Sequence, residues 1–235
     1  MNIRRHKLIA LALAVVMAGS LAGCGNDPDA GLGARLVGGA LKSRAGGGQR
    51  AGKVTPANAA NPAALIPIAL RAVRGPVMLA VVESRNAIAI MGRSMVNGAY
   101  ETWTTASKQT LTFKRGILVE TRGLGDDLMY AQVDGVSALV RARRGGKARR
   151  EMHFLDGEGK TYTLTFQCSV TPGPAQKLAI GNLRVSSRRM DEACNSGAGK
   201  SIGNTYWVAG DGHIWQSRQW VSPGVGYLVT QQLRR

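Results

Sequence analysis

Cysteine supplies the clearest chemistry in this chain. The first of its three cysteines, Cys24, follows Leu21-Ala22-Gly23. Upstream lie Arg4, Arg5 and Lys7, then an apolar run from Leu8 to Met17. A basic start, an apolar run too short to cross a bilayer and small residues before a cysteine form a lipobox-type signal. The small residues suit the signal peptidase. The Cys24 thiol takes a diacylglycerol, and the amine freed by cleavage is acylated, typically with palmitate. Two or three acyl chains anchor stably where one is marginal. Residues 1–23 are therefore expected to be a signal peptide, with Cys24 the lipidation site. Gly25, not Asp, follows it, which favours the outer membrane. The expected location is lipid-anchored and periplasm-facing.

The other two cysteines, Cys168 and Cys194, form an even pair outside the cytoplasm and read as a disulfide. The loop they close makes such a bond worth about 3.5 kcal/mol in the chain-entropy picture. Two free buried thiols are the alternative. No metal site is expected, because only His153 and His213 follow the signal and no ligand quartet has suitable spacing. No cofactor is implied. Gly-x-Ser-x-Gly is missing. Gly199-Lys200-Ser201 imitates the end of a phosphate-binding loop, but Cys194 stands where its first glycine belongs. Glycosidases need two facing carboxyls. Asp126, Asp127, Asp134, Glu151 and Asp156 form no convincing pair, and adjacent aspartates after a strand suit a turn or cap. No catalytic residue is assigned, and the reading is non-enzymatic.

Aromatics are scarce at 5%, so the four tryptophans stand out. Trp215 and Trp220 are five apart and point to opposite faces of a regular strand. Arg218 lies between them, and Trp207 sits on the partner strand of the same hairpin. Aromatic faces beside arginine suit sugar rings with acidic groups. Trp103, Arg122, Trp207, Trp215, Arg218 and Trp220 are therefore candidate glycan or partner contacts. The plainer reading is that the tryptophans fill the core.

The 31 Lys+Arg against 14 Asp+Glu give a formal charge of +17, and loss of Arg4, Arg5 and Lys7 lowers it by three, to +14. Outside the cytoplasm this does not imply nucleic acid. The available polyanions are phosphate-bearing lipid headgroups, lipopolysaccharide and acidic exopolysaccharide, attracted over about 8–10 Å.

These residues need a scaffold. With 235 residues and 44% hydrophobic content, the chain is neither disordered overall, collagen-like nor a polytopic membrane protein. Residues 24–61 read as a flexible Gly/Ala-rich tether with a span of roughly 30 Å. Residues 62–235 read as a single β-rich domain. Its start, Pro62–Arg74, suits a short helix that Gly75-Pro76 stops. Strands are expected at Val77–Val82, Ala87–Met91, Tyr100–Thr105, Thr110–Phe113 and Ile117–Thr121. More follow at Arg150–Leu155, Thr161–Val170, Tyr206–Ala209, His213–Val221 and Tyr227–Leu233. Glycine-bearing turns separate several of them, a strong hairpin signal. The expected fold is all-β, an antiparallel sandwich or open barrel built from hairpins, with one short N-terminal helix.

Two segments also carry a resemblance. One is Tyr206-Trp207-Val208, Gly212, Ile214-Trp215-Gln216-Ser217-Arg218-Gln219-Trp220-Val221-Ser222-Pro223 and Gly226-Tyr227-Leu228. The other is Gly116-Ile117-Leu118-Val119 with Thr121-Arg122-Gly123-Leu124-Gly125-Asp126-Asp127-Leu128. Together, over about residues 62–235, they resemble the YjbF/GfcB type of group 4 capsule polysaccharide lipoprotein. The resemblance implies a β-rich, periplasm-facing outer-membrane lipoprotein associated with capsule or exopolysaccharide secretion, with no catalytic residues to carry over. From the lipobox, the basic charge and the resemblance together, the expected partners are the membrane, through the lipid, and either anionic polysaccharide or another exopolysaccharide-secretion protein. A structural envelope lipoprotein and a polysaccharide-modifying enzyme are the alternatives.

Overall fold

The computed structural model describes residues 62–235. The expected signal peptide, Cys24 and the tether at 24–61 lie outside the described residues. The strands are β1 (Val77–Val82), β2 (Ala87–Asn97), β3 (Tyr100–Thr104), β4 (Thr110–Lys114), β5 (Ile117–Arg122), β6 (Tyr130–Gln132), β7 (Gly146–Leu155), β8 (Thr161–Ile180), β9 (Leu183–Ser196), β10 (Ser201–Ala209), β11 (Ile214–Ser222) and β12 (Gly226–Arg234). Helix α1 is Pro62–Ala72 and α2 is Asp134–Arg141.

The twelve strands form one antiparallel sheet in the order β5-β4-β3-β2-β1-β12-β11-β10-β9-β8-β7-β6. Sequence neighbours pair, and β1 pairs with β12, so the sheet curls into a nearly closed barrel whose free edges are β5 and β6. Unpaired edges need cover. Here Thr121 N donates to Leu128 O at 2.9 Å. Leu118 N donates across the interior to Gln219 Oε1 on β11, also at 2.9 Å. Helix α2, not expected from the sequence, adds Val136 and Val140, one turn apart, to the buried core.

The expected helix is present as α1, and it explains why β1 is an unbroken apolar run. Met78, Ala80 and Val82 face the interior among Trp103, Phe154 and Phe166. Val77 and Leu79 face outward, where Leu65 and Ala69 of α1 bury them. A strand covered on both faces has no polar face to show.

Strands β8 and β9 extend past the barrel as a long hairpin whose Ile180 and Val185 also pack in the α1 cluster. The sequence reading stops β8 at Val170, before Thr171-Pro172-Gly173-Pro174. The strand continues because β7 ends its pairing at Val170. Beyond that point β8 is an edge strand, where proline costs no ladder bond.

Cys168 and Cys194 face each other across β8 and β9 and form the expected disulfide. Beside it lies a buried ion pair. Arg150 grips Glu192 through Nε–Oε1 at 2.9 Å and Nη2–Oε2 at 3.0 Å. Tyr206 OH at 2.7 Å and Asn204 Nδ2 at 2.8 Å also donate to Glu192 Oε2. Burial opposes charge on Arg150, but Glu192 and Tyr206 more than offset it, so its pKa is raised. Burial, then Glu192, holds the Tyr206 phenol well above its ordinary value.

Candidate functional site

In an up-and-down meander every even-to-odd connection leaves at the same end. The turns at Gly98–Ala99, Arg115–Gly116 and Gly210–His213 gather there, as does α2. Arg235, just past β12, joins them. The other end is tied shut. Asp126 O accepts from Ser222 Oγ at 2.5 Å, and Asp126 Oδ2 from Gly224 N at 2.7 Å. Asp127 accepts from Thr121 Oγ1, Gly123 N and Leu124 N. The two aspartates thus organise loops, as the turn reading had it.

The open end holds a cleft of about 750 Å³, within the usual ligand-pocket range. Met78, Trp103, Phe113 and Ile214 line its apolar depth. One wall is polar. His213 Nε2 lies 2.6 Å from Gln232 Oε1, and Ser217 Oγ lies 2.8 Å from Thr230 Oγ1. Gln219 Nε2 continues the chain inward to Ser217 Oγ at 2.9 Å. Arg115, Arg141 and Arg235 also line the cleft.

Two glycines shape this end. At Gly116 (φ +88°) a Cβ would lie 3.0 Å from the Ile214 side chain. At Gly212 (φ +79°) it would lie 3.0 Å from Arg141 O. Both positions use left-handed backbone and close approach, which glycine alone provides without strain.

The charges are unevenly answered. Arg235 pairs with Asp211 at 2.9 Å, and its guanidinium carbon lies 4.9 Å above the Trp215 ring. Glu101, also lining the cleft, pairs with Arg93 at 3.1 Å. Arg141 donates to Gly212 O at 3.1 Å. Among the described residues, no carboxylate pairs with Arg141 or Arg115. Burial, then the Arg235 charge, lowers the His213 pKa. The His213 backbone N–H, then Arg235, lowers that of Asp211. At neutral pH His213 is therefore uncharged and Asp211 ionised.

This arrangement suits a ligand carrying hydroxyls and negative charge. Asp211 and Glu101, the two carboxylates lining the cleft, are each paired with an arginine. Cys168, Cys194 and Glu192 bring potential metal-ligating atoms within 4.8 Å of one another. Their sulfurs are joined to each other and the carboxylate is held by Arg150, so the donor set does not fit a metal.

The structure scatters the six contacts expected from sequence. Trp103 and Trp215 share the cleft, Trp103 in its depth and Trp215 nearer the rim. Trp220 is 5% exposed and packs edge-on against Phe154 and Phe166. The core reading fits its placement, and the Lys200 ammonium lies 4.9 Å from its ring centre. Arg218 grips Glu83 through two bonds and stacks 3.6 Å from the Tyr227 ring centre on another part of the wall. Trp207 donates to Gln176 of the β8–β9 arm. Arg122 pairs with Glu120 at 2.6 Å and donates to Thr121 O. The reading missed Arg115, Arg141, Asp211, Gln232 and Arg235. The signal available was the meander itself, whose alternate turns must converge.

The sequence profile described as "Group 4 capsule polysaccharide lipoprotein gfcB, YjbF" matches residues 41–233. The match thus begins inside the stretch read as tether. Among solved structures, the hypothetical lipoprotein YmcC of Escherichia coli K12 is similar, with a TM-score of 0.64 and 17% identity over 80% of this chain and 98% of that one. At that identity the likeness shows the fold. A Parabacteroides distasonis ATCC 8503 protein gives a TM-score of 0.31 at 8% identity, over 69% of this chain and 95% of its own, too distant to show a shared fold. No curated protein sequence matches.

Proposed function

We propose a function from one premise: the chain belongs to the group 4 capsule polysaccharide lipoprotein family. On our reading it is a non-enzymatic accessory factor in capsule or exopolysaccharide secretion or assembly. Acyl chains on Cys24 hold it to the outer membrane, facing the periplasm. Its barrel mouth binds anionic polysaccharide.

One observation carries the reading. A cleft of ligand size has two guanidinium groups, Arg115 and Arg141, that no carboxylate of the described chain answers. Arginine matches carboxylate and phosphate geometry. The half-buried Trp215 ring, in the same cleft, supplies an aromatic edge for a sugar ring.

The test is genetic. A deletion strain is complemented with wild type, Cys24→Ala or Arg115→Glu, and surface and secreted polysaccharide are measured. Loss in the deletion, rescued by wild type and by neither variant, is the expected result. Unchanged polysaccharide in the deletion would contradict the reading and favour a structural envelope role. Rescue by Arg115→Glu alone would remove the mouth from the account while keeping the anchored factor.

A further inference from the structure

We infer that the cleft receives the end of an anionic glycan chain, not a stretch within one. The inference rests on the saccharide reading of the cleft and adds how the polymer enters.

The first ground is closure. The cleft ends blindly on Met78, Trp103, Phe113 and Ile214, and the barrel beneath is filled by buried side chains including Phe154, Phe166 and Tyr206. The opposite end is tied by Asp126 to Ser222 and Gly224. A polymer therefore has no path through the barrel.

The second ground is depth. Ser217, Thr230 and Gln232 back the inner part of the cleft and are 1%, 5% and 4% exposed, their polar atoms bonded to one another, to His213 and to Gln219. The space in front of them is a recess, which a chain end can enter and a chain lying across the rim leaves empty. The encircling turns at Gly98–Ala99, Arg115–Gly116 and Asp211–His213, with Arg141 and Arg235, come from separate places around the barrel. Together they form a rim around the cleft mouth.

The third ground is an exit surface. Arg141 lines the cleft, and the chain continues from it to exposed Arg143, Arg144 and Lys147. Among the described residues none of these three has a carboxylate partner. A polyanion whose end sits in the cleft can run outward over this basic segment, held by charge without sequence-like recognition.

The experiment uses capsular polysaccharide purified from the producing cell, intact or cut to graded lengths, in competition for full-length wild-type protein at low salt. At fixed total mass, cutting the polymer into about tenfold more chains should raise its competing power about tenfold, because ends are what bind. Titration should give one protein per chain at every length. Competing power that follows mass and not the number of ends, with more proteins bound to longer chains, would overturn end recognition and leave the saccharide reading standing. Failure of every fraction to bind would overturn the saccharide reading and this inference together.

Discussion

Two groups of arginine in the same barrel are treated in opposite ways. Arg150 is buried, and its fork meets both oxygens of Glu192, with Tyr206 beside it and Asn204 holding the same carboxylate. At the mouth, of Arg115, Arg141 and Arg235 only Arg235 has a carboxylate partner among the described residues, Asp211. A buried charge is tolerated only when its partners are complete. A charge at an open mouth can be left unanswered because water serves it until a ligand arrives. The interior pair therefore belongs to the fold, and the mouth set is available for binding.

Several experiments test that contrast. The largest effect is expected inside. Glu192→Ala leaves the Arg150 guanidinium buried without its carboxylate, which should cost about 3–5 kcal/mol, read by denaturant unfolding. A loss below about 1 kcal/mol would mean that water or another group replaces Glu192 and that the interior is less dry than its burial suggests. Replacing Cys168 and Cys194 together with alanine should cost about 3.5 kcal/mol. The same variant should keep its glycan affinity if the two regions are independent.

At the mouth the effects on stability shrink. Gly212→Ala places a side chain at φ +79° and 3.0 Å from Arg141 O, so a loss of about 1–2 kcal/mol is expected. Because Arg141 must shift, saccharide affinity should fall with it. Retained affinity would argue that Arg141 is not a contact. The smallest effect is a titration. His213 binds its proton less readily when folded than its ordinary 6.5. Between the folded pKa and 6.5 the unfolded chain holds more protons, so stability rises with pH across that window and is complete above it. An NMR titration should find His213 below 6.5, and Arg235→Gln should raise it by removing a nearby positive charge. An unmoved pKa in that variant would separate Arg235 from the His213 site.

Much of this architecture is written locally. The run Val77–Val82 coincides with β1 because apolar residues end abruptly at Glu83 and at Pro76. Asp156-Gly157-Glu158-Gly159 and Gly210-Asp211-Gly212 mark real hairpin turns. The missed elements are those whose residues follow non-local demands. Strand β9 reads as polar because Glu192 fills a satisfied interior position and Ser187 a buried one in the arm, bonded to Gln176 O. Helix α2 is eight residues long, too short to form without the seam that Val136 and Val140 fill. The individual mouth residues were not legible locally for the same reason, although the meander showed which turns converge. Arg115, Arg141 and Arg235 are far apart in sequence and meet only when β1 pairs with β12. Tryptophan was conspicuous by rarity, yet rarity does not distinguish Trp220 in the core from Trp215 beside the rim.

The most direct test is equilibrium binding of the producing cell's purified capsular polysaccharide to wild type and to Arg115→Glu. Arg115 is exposed and without a carboxylate partner among the described residues, so its replacement should change stability by less than about 0.5 kcal/mol. Wild-type affinity should weaken as salt rises, since screening shortens the reach of the rim charges. Arg115→Glu should bind at least about tenfold more weakly at low salt, about 1.4 kcal/mol. Equal binding by the two proteins, or no binding by wild type at low salt, would contradict the account.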